Sequence, residues 1–103
     1  MEDLISETLQ IAREKFSAFG FKEEQIDQLL TSGRNDLEKE LHTLAALLET
    51  EETDIENLNQ SLHALKGLLY NMGNMEAGNM MNELRTEGKV SERIDEIKKI
   101  VKR

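Results

Sequence analysis

The chain has 103 residues, 38% hydrophobic and 33% charged, with a formal net charge of −8. That length allows one core and no deep enclosed cavity, and the negative field repels a polyanion such as nucleic acid. With no cysteine, disulfide frameworks and thiolate metal sites are excluded, and three Phe and one Tyr are too few β-formers for a sheet.

Helical periodicity runs through almost the whole chain. Ile5, Leu9, Ala12, Phe16 and Phe19 recur at helical spacing, and Gly20 offers a stop. A short helix is expected from about Lys22 to Thr31, ending at Gly33. Leu37, Leu41, Leu44 and Leu48 mark a third helix, with Asn35 as its cap. The acidic stretch Glu49 to Asp54 reads as a solvated turn. Thr53 and Glu56 have capping-box spacing, which puts the next helix start near Asp54.

From there Ile55, Leu58, Leu62, Leu65, Leu69 and Met72 form an unbroken seam, interrupted at Gly73-Asn74. Met75 to Glu87 reads as another helix closed by Gly88. Ser91 caps a last one carrying Ile94, Ile97 and Val101. Met72, Met75, Met80 and Met81 read as adaptable core filling. Lys98, Lys99, Lys102 and Arg103 complement a helix C-terminus.

Narrow seams and short connections predict an all-α fold, an up-and-down four-helix bundle with additional N-terminal helical segments. Residues 1–33 form those segments and residues 34–103 the bundle, within a single domain spanning 1–103. No apolar run approaches the about 20 residues that cross a bilayer. The start Met-Glu-Asp-Leu does not resemble a signal peptide, so a cytoplasmic protein away from membranes is expected; a free-standing chain and a piece of a hybrid kinase both stay open, the initial Met leaning to the first. A complete bundle needs no second copy, so a monomer is expected.

On the helix at about 54–73, at about 100° per residue, the leucine seam centres roughly 130° from His63, which therefore faces outward. Lys66, Gly67 and Tyr70 follow at spacings of three, four and seven, and Asn59 lies one turn before. A glycine inside a helix costs about 1 kcal/mol relative to alanine. Beside an exposed histidine, Gly67 opens an approach to the ring. Lys66 supplies a point charge suited to screening an anion. An unperturbed imidazole, with a reference pKa of about 6.5, is largely neutral and nucleophilic near pH 7.

Leu62-His63-Ala64-Leu65-Lys66-Gly67, followed by Asn71-Met72-Gly73, resembles the signature of histidine phosphotransfer (HPt) domains of bacterial two-component phosphorelays. The resemblance implies a signal-transduction phosphoprotein whose histidine accepts a phosphoryl group from a receiver-domain aspartyl phosphate and passes it to another receiver. It implies His63 as phosphoacceptor, Lys66 as charge support, Gly67 as access for the receiver and Gly73 as a structural glycine. Receiver domains of response regulators, or a hybrid histidine kinase, would be the partners, with Mg²⁺ expected on the receiver and no cofactor in this chain. Asn59 and Tyr70 are candidate partner-binding residues; Tyr70 reads equally well as cover for the apolar flank of its own helix. Two departures stand out: Leu68 and Leu69 replace small or hydroxyl residues, and Arg85 falls where a glutamine often bonds the imidazole.

An exposed histidine alone is ordinary. His42 also faces away from its leucine seam, yet Ala45 and Ala46 stand where lysine and glycine would be needed. The chain has no Gly-rich nucleotide loop and no paired histidines at metal-ligand spacing, so a carrier without its own ATP site, and not an enzyme, is expected. The phosphoacceptor module of a chemotaxis-type kinase presents the same motif. A non-catalytic helical protein-binding module is the reading from a different class. A kinase dimerisation domain fits less well, because Ala64 replaces the usual acidic residue after the histidine.

Overall fold

A computed structural model describes residues 1–50, 54–86 and 92–102, and these form five α-helices with no strand. They are α1 (Glu2–Ala18), α2 (Glu23–Glu49), α3 (Ile55–Asn71), α4 (Met75–Thr86) and α5 (Ile94–Lys102). The protein is all-α.

Two helix ends are built alike. After α1, Gly20 takes φ +84°, the Gly20 N–H donates to Ser17 O and the Phe21 N–H to Phe16 O. After α3, Gly73 takes φ +89°, the Gly73 N–H donates to Tyr70 O and the Asn74 N–H to Leu69 O. These paired bonds are Schellman closures, which need a left-handed residue that glycine adopts without a Cβ penalty. At the first, Phe16 and Phe21 pack edge to face, 5.9 Å between ring centres. At the second, Asn74 also caps the next helix, its Oδ1 accepting from the Ala77 N–H.

The expected break at Gly33 is absent. α2 runs 27 residues without interruption, about 40 Å at 1.5 Å per residue, along a molecule 46 Å long. Gly33 keeps a negative φ, so it provides no left-handed stop. Its missing side chain makes room for Met72 from the end of α3: a Cβ here would lie 2.6 Å from Met72 Cε. Asn35 is accordingly a helix-interior residue and caps nothing. The division at residue 33 is not a break either, since one helix serves both parts.

The first half of α2 carries α1, antiparallel to it. Arg13 bonds Glu23 and Asp27, and Arg34 bonds Glu2 and Glu38. The Arg34 guanidinium is pushed up from its ordinary pKa, first by the hydrogen bond to Glu38 and then by the charge of Glu2. Exposed pairs of this kind are screened by solvent and contribute little to stability. Burial of Leu4, Ile5 and Ala12 therefore dominates the attachment of α1. A buried bond from Asn74 Nδ2 to Thr8 Oγ1 (2.8 Å) ties α1 to the α3–α4 turn. Phe19, expected on the α1 seam, lies past its end and is 71% exposed.

The second half of α2 begins the bundle. Ser61 donates to Glu40 across α2 and α3, which run antiparallel. Bonds from Lys66 to Asn82 and from Tyr70 to Asn79 fix α4 antiparallel to α3. α5 packs against α2 and closes the bundle, and Arg93 and Ile100 share a cleft with Met80 and Leu84 of α4. This is the up-and-down arrangement of four helices, α2 to α5, with α1 as the N-terminal addition.

Leu37, Leu41, Leu44 and Leu48 meet Leu58, Leu62, Leu65 and Leu69 in one core, joined by Met72, Met81, Leu84, Ile97 and Val101. Ile55, Met80 and Ile94 are half-buried at its edge, and Met75 is exposed. Lys99 and Lys102 sit in the last turn of α5, and Arg103 lies outside the described residues. No helix among the described residues is long and apolar enough to cross a membrane.

Candidate functional site

α3 starts where an oxygen cap is available. Asp54 Oδ1 accepts from the Asn57 N–H (3.2 Å), and Asp54 Oδ2 accepts from Asn57 Nδ2 (2.8 Å). The cap is thus Asp54, with Asn57 three residues on; Thr53 of the expected capping box lies outside the described residues. So do Glu87, Gly88 and Ser91, expected to end α4 and begin α5.

Every leucine of the α3 seam, Leu58, Leu62, Leu65 and Leu69, is fully buried, which turns the opposite face of the helix outward. His63 lies on that face and is exposed. A Cβ built on Gly67 would meet nothing within 4 Å. The backbone one turn after His63 is therefore open to an incoming surface.

The residues around His63 divide between two flanks. On the α2 side, Gly67, Ala64 and Leu68 border an open groove of about 420 Å³ whose other wall is Asp36, Lys39 and Glu40 of α2. On the α4 side, Lys66 is half-buried and its Nζ reaches Asn82 Oδ1 at 3.5 Å. That distance is long for a hydrogen bond, so the ammonium is loosely tethered and keeps donor capacity. Lys66 and Gly67 thus open onto opposite flanks of the ridge that carries His63.

Tyr70 continues the α4 flank. Its hydroxyl donates to Asn79 Oδ1 at 2.6 Å, and its ring lies over Gly78, where a Cβ would come within 2.4 Å of Cδ1 and Cε1. Tyr70 is half-buried, with its hydroxyl and ring both engaged by the neighbouring helix α4. Asn59 is half-buried too, and its Oδ1 is buried with no hydrogen-bond partner. Gly73, at φ +89°, closes α3, as a structural glycine must.

Sequence reasoning does not single out the α4 contributors Gly78, Asn79 and Asn82. One signal for them exists: Gly78 falls inside a predicted helix, where a missing side chain means that something packs close. Arg85 follows on the same stripe of α4, with Nε buried and unpartnered.

Chemically, the site offers an exposed imidazole as nucleophile, an ammonium one turn along and an unobstructed approach. Among the described residues, no three His, Asp or Glu side chains gather as a metal-binding group. Compared with known protein families, with curated proteins and with solved structures, the chain shows no match, so the functional reading stands on these residues.

Proposed function

We propose that the protein is an HPt-type phosphocarrier: His63 accepts a phosphoryl group from the aspartyl phosphate of a receiver domain and hands it to another receiver. One observation carries the reading. His63 is exposed opposite a fully buried leucine seam, with free space above Gly67 and the Lys66 ammonium on the adjoining flank.

In the forward step a neutral imidazole nitrogen attacks phosphorus in line with the acyl-phosphate bond. The N–P bond forms, the O–P bond breaks, and the aspartate leaves as a carboxylate with the bonding pair. The proton on the other ring nitrogen then passes to water. Such transfers depend mainly on positioning and on neutralising charge spread over the phosphoryl oxygens. Lys66 supplies part of that neutralisation, and the receiver brings Mg²⁺ as part of its own site.

Incubation with receiver domains phosphorylated on aspartate tests the proposal. The expected product is an acid-labile, alkali-stable label on this chain, absent from His63→Gln. Binding of receivers without any label would overturn the carrier reading and leave a docking module. Label only from an ATP-charged kinase domain would reassign the chain to the chemotaxis-type module.

A further inference from the structure

α3 and α4 meet along two facing stripes. On α3 the stripe is Asn59, His63, Lys66 and Tyr70; on α4 it is Gly78, Asn82 and Arg85. The contacts of Tyr70 with Gly78 and Asn79, and of Lys66 with Asn82, fix an antiparallel register. One turn further along that register, His63 stands across from Arg85. Here lie two buried polar atoms without a hydrogen-bond partner: Arg85 Nε, a donor, and Asn59 Oδ1, an acceptor. Both belong to stripes that border the exposed His63 ring.

A buried guanidinium donor left unpaired is unfavourable, and native structures keep few of them without a use. We propose that Arg85 is a phosphoryl-binding residue: with the group on His63, its guanidinium grips the phosphoryl oxygens from the α4 side, together with Lys66. The inference rests on the phosphocarrier reading of His63. It adds a second cation whose flat fork of donors suits phosphate oxygens bidentately, whereas lysine acts as a point charge. It also gives the site a direction. Both cations stand on the α4 flank, and the flank over Gly67 stays open for the donor and acceptor domains.

Phosphoramidate tests this without a partner protein. The imidazole nitrogen attacks its phosphorus, the P–N bond to the leaving nitrogen breaks, ammonia departs with the bonding pair, and the remaining ring N–H proton goes to water. Wild type, Arg85→Lys, Arg85→Gln and Arg85→Met are labelled at His63. Phosphohistidine decay is then followed by ³¹P NMR at neutral pH, and thermal midpoints are compared with and without the label. Arg85→Met is expected to lose the label about tenfold faster, the scale of one charge-assisted hydrogen bond. Arg85→Gln should behave like it, and Arg85→Lys should fall between.

Phosphorylation should raise the midpoint of wild type and not of Arg85→Met, while unlabelled Arg85→Met melts no lower than unlabelled wild type. Equal decay and equal midpoint shifts in all four proteins would overturn the role of Arg85 and leave His63 a phosphoacceptor. Absence of label on wild-type His63 would overturn both.

Discussion

His42 and His63 occupy similar places. Each lies on a long helix, each is exposed, and each stands behind buried leucines, Leu37 to Leu48 in one case and Leu58 to Leu69 in the other. Their surroundings differ. After His42 come Ala45 and Ala46, good helix formers that leave nothing open and bring no charge. After His63 come a loosely held ammonium and a bare stretch of backbone where a Cβ would meet nothing within 4 Å, and α4 presents Asn82 and Arg85 alongside. Exposure comes free with amphipathic periodicity; a bare glycine and a buried guanidinium Nε without a hydrogen-bond partner do not. The difference shows which features of the His63 turn ask for a functional cause.

The largest expected contrast comes from removing each imidazole. His63→Gln should abolish labelling by a phosphorylated receiver, and His42→Gln should leave its extent and rate unchanged, both read by autoradiography of alkali-treated gels. Label that survives in His63→Gln and vanishes in His42→Gln would reverse the comparison. Next in size is a blockade of the approach. Gly67→Arg should keep the thermal midpoint, because nothing lies within 4 Å of its Cβ, and lower transfer by at least about tenfold, roughly 1.4 kcal/mol. Ala46→Arg, the matching change beside His42, should alter neither. Full transfer through Gly67→Arg would show that no surface closes over this turn.

How much of this is legible in the sequence follows from the range over which each feature is determined. The leucine seam of α3, its start at Asp54 and the outward direction of His63 depend on neighbours within one or two turns, so spacing is enough to find them. Gly33 misleads because its cause is remote. A glycine followed by Asn35 looks like a helix end, yet the side chain it accommodates, Met72, comes from the far end of the next helix. Phe19 keeps the spacing of the α1 seam after the helix has ended, and periodicity cannot see that closure. The α4 flank is hardest to read. Asn79 and Asn82 take their place through the register of α4 on α3, which no local pattern specifies; Gly78 shows only as a glycine inside a helix, and Arg85 only as a departure from the resembled signature.

That flank gives the third contrast, in stability. Gly78→Ala would push a methyl within 2.4 Å of two Tyr70 ring carbons, and the ring is held by the hydroxyl bond to Asn79. Overpacking typically costs about 1–3 kcal/mol, which outweighs the gain of up to about 1 kcal/mol from helix propensity. The denaturant midpoint should therefore fall, and the Lys66–Asn82 tether should shift with α4. A rise would mean that the Tyr70 ring moves freely, and the α4 side of the His63 ridge would then be no better built than the surroundings of His42.

The smallest effect separates access from stability most cleanly. Gly67→Ala places its methyl in open space, so the substitution should stabilise the protein by up to about 1 kcal/mol, measured by urea unfolding. Ala46→Gly, on an exposed position of α2, should destabilise by a similar amount. The two form a mirror pair: the His42 turn has the residue that helix stability favours, and the His63 turn has the one it disfavours. If Gly67→Ala is stabilising and also slows transfer measurably, the glycine is kept for what approaches it and not for the helix it interrupts. If it is stabilising and transfer is untouched, a methyl fits beneath the docked partner, and the space above Gly67 is needed only against side chains as large as arginine.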